Sequence, residues 1–369
     1  MAFGRWGPPQ PHQQQLRRST TPTHLSSESS SSTGTAVNGE NNECLRTVDV
    51  LSLDSIRSTL IRQEETIIFA LIERAQFRQN DIVYRTTDGF GDLGTPIGST
   101  DPDTENSEPL SFLAYMLVGT EALHSKARRY ASPEEHAFFP ERLPNSSTPS
   151  QSEQQQNILP DLQYSQELLS SQGGASDVNF NKRLLAVYIE RIVPSLCSRG
   201  DDEQHGSTAL CDIAVLQAMS RRVHYGKFVA ESKYRSDPDA YQRLVDANDA
   251  HGVLQLLTNT AVEKKVLRRA RLKAATYGTE PILSVLPPTI EQGKTDTTST
   301  MVAAAAASAV VAAMEATQQS ADGLLAKGKV DPAVIEDVYR NIIIPMTKDI
   351  EVAYLFRRCG KEPPAPYRD

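Results

Sequence analysis

The residues best placed to do chemistry lie in one segment, residues 220–233. At about 100° per residue, the eleven steps from Arg222 to Lys233 return to within ~20° of the starting direction, so both cations lie on one helix face about three turns apart. Gly226 and Val229 lie between them on that face. Two cations that flank a small, apolar gap form a candidate slot for an anion. The alternative is an ordinary solvated charged face.

Two more pairs of polar residues follow the same helical spacing. Asn259 and Glu263 are four residues apart, and so are Thr347 and Glu351, so each pair projects from one face of its predicted helix. Both helices carry apolar residues near those faces. A carboxyl beside an apolar stripe has its pKa raised and can then donate a hydrogen bond at neutral pH. The alternative for each glutamate is a place at the edge of the stripe, with its carboxylate in water.

Arg57 is a third candidate cation. It shares a helix face with Leu53, Leu60 and Glu64, so the alternative to binding an anion is an ion pair with Glu64.

The sequence lacks the patterns of several other chemistries. It contains no GxSxG, no CxxC pair, no glycine-rich phosphate loop and no metal-ligand spacing among its seven histidines. We therefore expect neither a metal site nor a nucleophilic triad.

Helices must position these residues, because apolar residues recur at steps of three and four along most of the chain after Cys44. Ser52 is a suitable N-cap for the first helix. No alternating strand pattern of useful length occurs, so the sequence predicts an all-α fold of about ten or more helices. The predicted helices cover residues 53–77, 110–130, 181–198, 208–235, 238–247, 252–257, 261–277 and 332–358.

Composition divides the chain into a polar tail and one globular domain. Residues 1–43, rich in Ser, Thr and Gln, predict either a disordered tail on a cytoplasmic protein or a transit peptide for a plastid. Residues 44–369 form one predicted domain with insertions near 86–109, 145–156 and 281–329. The net charge of −8 argues against a nucleic-acid partner, but not against a small anion held by a few cations. No apolar run reaches the ~18–20 residues of a membrane helix.

Five stretches of helical spacing carry most of the residues named above: 53–73, 111–140, 206–235, 258–265 and 344–358. Taken together and in order, they resemble the all-helical chorismate mutase of plants and fungi. The resemblance implies a single helical-bundle domain, a homodimer, and the rearrangement of chorismate to prephenate in the biosynthesis of Phe and Tyr. It also implies catalysis without a cofactor, by orientation and preorganised charge. The alternative is a non-catalytic helical homologue that binds an aromatic amino acid at the dimer interface. The stretches are LDSIRSTLIRQEETIIFALIE (53–73), SFLAYMLVGTEALHSKARRYASPEEHAFFP (111–140), GSTALCDIAVLQAMSRRVHYGKFVAESKYR (206–235), TNTAVEKK (258–265) and IPMTKDIEVAYLFRR (344–358).

The resemblance assigns roles to the candidate residues. Arg57 and Arg222 match the arginines that bind the two substrate carboxylates, a role that suits the planar guanidinium fork. Lys233 and Glu351 match the pair at the ether oxygen, where Glu351 must be protonated to help. Glu263 matches the residue that accepts the ring hydroxyl. Asn259 and Thr347 match residues that complete the wall of the substrate site. The three cations, Arg57, Arg222 and Lys233, are expected to be buried.

The resemblance further implies an effector site for an aromatic amino acid, Tyr or Trp, at the dimer interface. Arg128 and Arg129 match the arginine pair of that site, and Gly206 and Ser207 match its Gly-Ser turn. Regulation stays open at this point, because Leu210 stands where fungal members have Thr and some plant members are unregulated. The alternative for the two arginines is to serve as cations at the end of a helix.

Overall fold

The computed structural model describes residues 50–86, 110–143, 168–278 and 329–369. Throughout these residues the regular structure is helical and there is no strand, so the predicted all-α class is confirmed. All of them belong to one unit, Glu43–Asp369. The predicted tail and nearly all of the three predicted insertions lie outside the described residues.

Helices α1 to α11 carry most of the described chain. A π-helical turn, Tyr188–Ile192, joins α3 to α4, and another, Tyr339–Ile343, joins α10 to α11. The α-helices are α1 Leu53–Arg74, α2 Phe112–Lys126, α3 Asn181–Val187, α4 Val193–Leu196, α5 His205–His224, α6 Gly226–Ser236, α7 Pro238–Asp246, α8 Ala250–Leu257, α9 Thr260–Tyr277, α10 Pro332–Val338 and α11 Ile344–Arg358. Short 3-10 turns are Asp81–Tyr84, Arg129–Ala131, Pro140–Arg142 and Gln172–Asp177.

Side-chain caps define where several of these helices begin. Ser52 accepts a hydrogen bond from the Ser55 N–H at 3.2 Å, so its predicted role as the N-cap of α1 is confirmed. Asp237 caps α7 in the same way, with Pro238 directly after it, where the missing N–H costs nothing. Asn259 caps α9 through Val262, so it stands before the helix and not within it.

Two of the predicted helices, 208–235 and 110–130, are interrupted at residues that their spacing does not mark. The predicted helix 208–235 is divided at Tyr225 into α5 and α6, and Gly226 begins the second part against α11. The predicted helix 110–130 ends at Lys126, because Arg128 adopts a left-handed backbone with a φ of 58° that an α-helix cannot contain. In both cases the interruption depends on a single residue, and the periodic spacing of apolar residues does not reveal it.

The core consists of two neighbouring apolar clusters. The larger one packs α1, α5, α10 and the start of α11 together, with Leu71, Leu216 and Ile350 fully buried. The smaller one surrounds α6, α7, α8 and the end of α11, with Phe228 and Phe356 buried. Because α11 contributes to both clusters, it holds the two halves of the helical array in register. Among the described residues, no helix combines the length and the apolar character that crossing a membrane requires.

A buried polar network fastens the end of α1 to the middle of α5. The Arg74 guanidinium donates to the Asp212 carboxylate at 2.5 Å, and both side chains are completely buried. Asp212 also accepts hydrogen bonds from the hydroxyls of Tyr188 at 2.6 Å and Tyr84 at 2.8 Å. A buried charge pair with its remaining lone pairs satisfied in this way fixes one relative position of the helices.

Candidate active site

A cavity of about 700 Å³ opens between α1, α5, α6, α9 and α11. All seven residues to which the sequence assigned a part in catalysis or substrate binding line this one cavity, although they come from positions up to about 300 residues apart. They are Arg57, Arg222, Lys233, Asn259, Glu263, Thr347 and Glu351.

Arg222 lies in the last turn of α5 and is only 7% exposed. One guanidinium nitrogen donates to the Thr347 hydroxyl at 3.4 Å, whereas Nε has no protein partner among the described residues. Burial lowers the pKa of this guanidinium, and the nearby Tyr339 and Glu64 act against that decrease. A buried cation with an unused donor beside a cavity is suited to binding an anion there.

Lys233 lies on α6 and contributes the second cation of the predicted face. Its ammonium group donates a hydrogen bond to the Leu257 carbonyl at the end of α8. The prediction assumed one continuous helix from Arg222 to Lys233, but a break at Tyr225 separates α5 from α6. Both cations nevertheless line the cavity, and Val229 lies on the same wall as predicted.

Glu351 is buried on α11, with 6% of its surface exposed. Burial raises the pKa of its carboxyl to about 7, while the charges of Lys233, Arg222 and Lys348 act in the opposite direction. The carboxyl therefore carries a proton on a large fraction of molecules at neutral pH. The increase agrees with the expectation for a carboxyl on an apolar helix face.

Glu263 and Asn259 line the side of the cavity formed by the start of α9. Glu263 forms an ion pair with Lys348 on α11 at 2.6 Å. Asn259 uses its side-chain oxygen to cap α9, which leaves its amide N–H groups as donors. The two residues lie on the same wall of the cavity, but they do not share a helix face as predicted. Asn259 is the N-cap of α9, and Glu263 lies in its first turn.

Of the three cations expected to be buried, Arg222 is buried, Lys233 is half-buried and Arg57 is exposed. Arg57 lies in the first turn of α1 at the edge of the cavity, its side chain is 54% exposed, and it pairs with Asp54 at 3.0 Å. The alternative pairing with Glu64 is wrong. Glu64 is buried and holds Arg269 through two hydrogen bonds of 2.8 Å each.

Sequence reasoning missed Arg269, Lys265 and Lys348, which also line the cavity. Arg269 and its partner Glu64 are 205 residues apart, so no local spacing connects them. With these additions the lining contains six Lys or Arg side chains and three Glu side chains, so its balance is positive although the whole chain carries −8. A positively charged cavity in an acidic protein favours a small anionic ligand.

The four predicted effector residues are placed in two separate groups. Arg129 bonds to Glu135 at 2.9 Å and to Gln217 at 3.1 Å, the latter in the second half of α5. Gly206 and Ser207 lie in the first turn of α5, about 16 Å from Gln217 at 1.5 Å per residue. One chain therefore does not bring the two groups together.

The arginine pair follows the end of a helix and does not lie within its last turn. Arg128 and Arg129 lie beyond the end of α2, which stops at Lys126. Arg129 instead connects the loop after α2 to α5 through the contacts described above.

Fold and cavity define an all-helical protein with a positively charged cavity suited to an anion, and comparison with known proteins gives the family. No family model matches the chain. A chorismate mutase of Trichoderma parareesei is 36% identical over 319 residues, which cover 85% of this chain and 95% of the relative. The chorismate mutase of Saccharomyces cerevisiae is 34% identical over 311 residues, covering 84% and 96%. Chloroplastic chorismate mutase 1 of Arabidopsis thaliana is 35% identical over 309 residues, covering 84% and 74%.

Solved structures agree with these relatives. A crystal structure of the chorismate mutase of Candida albicans in complex with L-Trp has a TM-score of 0.62 and 33% identity, covering 86% of this chain and 95% of the other. A crystal structure of the chorismate mutase AtCM1 with tyrosine in its allosteric site has a TM-score of 0.58 and 34% identity, covering 84% and 97%. The chain belongs to the chorismate mutase family of plants and fungi. It is an isomerase, and the alternative of a non-catalytic homologue is not favoured.

Proposed function

We propose that the cavity rearranges chorismate to prephenate with the seven assigned side chains. The observation that carries this proposal is the convergence of those side chains on one cavity of about 700 Å³. A pericyclic rearrangement makes and breaks bonds within one molecule and needs no nucleophile. The protein has to hold a dianionic substrate in its compact, reactive conformer and to stabilise the charge that develops.

Two arginines bind the substrate carboxylates from opposite depths of the cavity. Arg222 supplies the deep contact, because it is buried and its Nε has no partner in the described part of the chain. Arg57 supplies the outer contact at the exposed edge, where it exchanges Asp54 for the substrate. Arg269 and Lys348 are already engaged by Glu64 and Glu263, which leaves Arg57 and Arg222 as the guanidinium groups for the dianion.

Lys233 and Glu351 act on the ether oxygen of the substrate, where negative charge grows as the C–O bond breaks. Lys233 donates from its ammonium group, and Glu351 donates from its protonated carboxyl. An ionised Glu351 would repel the developing charge, so its raised pKa of about 7 is part of the catalytic device. Glu263, which pairs with Lys348, accepts a hydrogen bond from the ring hydroxyl of the substrate. Asn259 and Thr347 complete the polar wall.

Alanine substitution of Arg222 and of Lys233 tests this assignment. Each removes a charged donor aimed at the substrate, so we expect kcat/KM for chorismate to fall by about 10²–10³-fold or more. The matched control is Arg268→Ala, which removes an exposed arginine on α9 that does not line the cavity. If folded Arg222→Ala and Lys233→Ala proteins kept the full wild-type activity, the assignment of these two residues to the active site would be overturned.

An effector site for Tyr or Trp is the second part of the proposal. Two solved relatives bind L-Trp or, in an allosteric site, tyrosine. In this chain the site combines Arg128 and Arg129 of one subunit with Gly206 and Ser207 of the other, which requires a homodimer. The separation of the two groups along α5 supports this arrangement, since a single chain offers only half a site.

For the compartment we propose the cytoplasm, with a plastid as the alternative if residues 1–43 direct import.

A further inference from the structure

Gly226, the first residue of α6, lies close to α11. A Cβ atom at this position would lie 2.9 Å from Cγ2 of Thr347, 3.1 Å from the Thr347 carbonyl oxygen and 3.3 Å from Cγ of Glu351. Carbon atoms in van der Waals contact are about 3.5–4.0 Å apart, so even the smallest side chain does not fit. Both touched residues line the cavity.

We propose that Gly226 is a positioning residue for the active site: its lack of a side chain sets the distance at which α11 presents Thr347 and Glu351 to Arg222 and Lys233. This inference rests on the site assignment made above. Gly226 itself does not contact the substrate. It acts through the two residues of α11 that pack against it.

Thr347 is unable to make room by rotating. Its hydroxyl donates to the Ile343 carbonyl at 2.7 Å and accepts from Arg222 at 3.4 Å, so a change of rotamer would break both hydrogen bonds. Thr347 is also β-branched and buried, which restricts its rotamers further. The other close atom is the Thr347 carbonyl oxygen, and that oxygen moves only if α11 moves.

A second attachment holds α6 to α11 further along both helices. Glu231 of α6 is buried and accepts hydrogen bonds from the Tyr354 hydroxyl at 2.6 Å and from the Arg358 guanidinium at 2.6 and 3.1 Å. With that end fastened, a side chain at position 226 acts as a wedge at the other end. The displacement falls on Thr347 and Glu351, which are nearer to the wedge.

The choice of glycine here opposes the local preference of the chain. Alanine forms helices better than glycine does, so helix formation alone would favour alanine at the start of α6. Gly119, in the middle of α2, shows the contrasting environment: a Cβ atom there would meet nothing within 4 Å. At Gly226, in contrast, the packing of α11 leaves no room for a side chain.

Gly226→Ala is the test, with Gly119→Ala as the matched control. For folded Gly226→Ala we expect kcat for chorismate to fall about tenfold or more while KM changes less, because a displacement of an ångström misplaces the groups that act in the transition state. Gly119→Ala should keep the wild-type kcat. A structural role alone would lower thermal stability without changing kcat per folded molecule.

The pH profile supplies a second readout. Wedging α11 away lets water reach Glu351, so we expect the falling limb of kcat to move to lower pH in Gly226→Ala. Arg222, Lys233 and Lys348 also surround that carboxyl and resist its protonation, and burial outweighs them in the wild type. The remaining titratable neighbours are Glu263 on α9 and Tyr241 on α7.

Thr347→Ser supplies the rescue, because it deletes the clashing Cγ2 and keeps the hydroxyl. The double variant Gly226→Ala/Thr347→Ser should recover part of the lost kcat, short of Thr347→Ser alone, since the contacts with the Thr347 oxygen and Glu351 remain. If Gly226→Ala does not fold, the double variant Gly226→Ala/Thr347→Ser is compared with Thr347→Ser alone. Equal kcat and equal pH limbs in that pair, or an unaltered kcat in folded Gly226→Ala, overturn the inference. Full activity of Arg222→Ala and Lys233→Ala would instead reject the site assignment.

Discussion

Glu351 illustrates how a single residue acquires its chemistry from its surroundings. A glutamate in water is ionised at neutral pH, and an ionised carboxylate would oppose the charge that develops on the ether oxygen. Burial on α11 raises the pKa of Glu351 to about 7, even though three cations near it favour the ionised form. Desolvation therefore outweighs the attraction of the cations, and the protonated form required by the proposed mechanism is well populated.

Glu351→Gln tests this role through the pH dependence of catalysis. In the wild type the protonated, active form is lost as the pH rises through about 7, so kcat should fall by about tenfold per pH unit above that value. Glutamine keeps an N–H donor at every pH, so the variant should lose this limb and become less dependent on pH. The measurement is kcat for chorismate between pH 5 and pH 9.

The matched control for that experiment is Glu121→Gln. Glu121 lies on α2 outside the cavity lining, and burial raises its pKa to about 7 as well. Its carboxylate accepts the N–H groups of Phe138 and Phe139, so this variant changes stability and not the shape of the kcat profile. A Glu351→Gln profile that still falls steeply near pH 7 would refute the proposed role of Glu351.

At the scale of elements, the site depends on how α1 and α5 are joined far from the substrate. Arg57 and Arg222 stand on these two helices, and the Arg74–Asp212 pair fastens the helices beyond the cavity. Removing one partner leaves the other charge buried without compensation, which costs more than an exposed pair contributes. The network around Asp212 thus determines the stability of the helix pair that carries both arginines.

Asp212→Ala should lower the free energy of unfolding by about 3–5 kcal/mol, because Arg74 remains buried without its carboxylate. Urea denaturation followed by circular dichroism measures the loss. Asp246→Ala is the comparison, since Asp246 pairs with Lys361 at 3.6 Å in an exposed position and should cost less than about 1 kcal/mol. Similar losses in the two variants would show that the buried pair has no special weight.

At the scale of the whole molecule, the proposed effector site needs two chains. The arginine group follows α2, and the Gly-Ser group begins α5, with about 16 Å of helix between Gly206 and the residue that contacts Arg129. Leu123 on α2 and Leu210 on α5 are apolar side chains exposed on the same two helices, at 67% and 60%. A second copy that covers the exposed sides of both helices would bury the two leucines and complete the proposed site.

Mixed dimers test that arrangement. Arg128→Asn removes the guanidinium and introduces a residue that tolerates the left-handed backbone at this position. Ser207→Ala removes the hydroxyl of the Gly-Ser turn. Each variant alone should lose its response to Tyr or Trp. Dimers formed from one subunit of each kind contain one intact site, so co-expression should restore part of the response. No restoration would place all four residues in one subunit or remove them from effector binding.

The sequence was a good guide to the helices and to seven polar residues that line one cavity. Helix α9 occupies residues 260–277 where 261–277 was predicted, because its apolar spacing is regular and local. The break at Tyr225 was not predictable in this way, since it is accompanied by the approach of α11 to Gly226. The Glu64–Arg269 pair was missed for the same reason: its partners are 205 residues apart.

By itself, the sequence determined the helical class, the faces on which the polar residues stand, and the motifs that imply the family. These properties depend on spacing within one helix, and spacing is written in the chain. Only the tertiary structure decided that Glu351 and Arg222 are buried while Arg57 is exposed at the cavity edge. Burial depends on helices distant in the chain. It raises the pKa of Glu351, and it encloses the Arg222 Nε, which has no partner within residues 50–86, 110–143, 168–278 and 329–369.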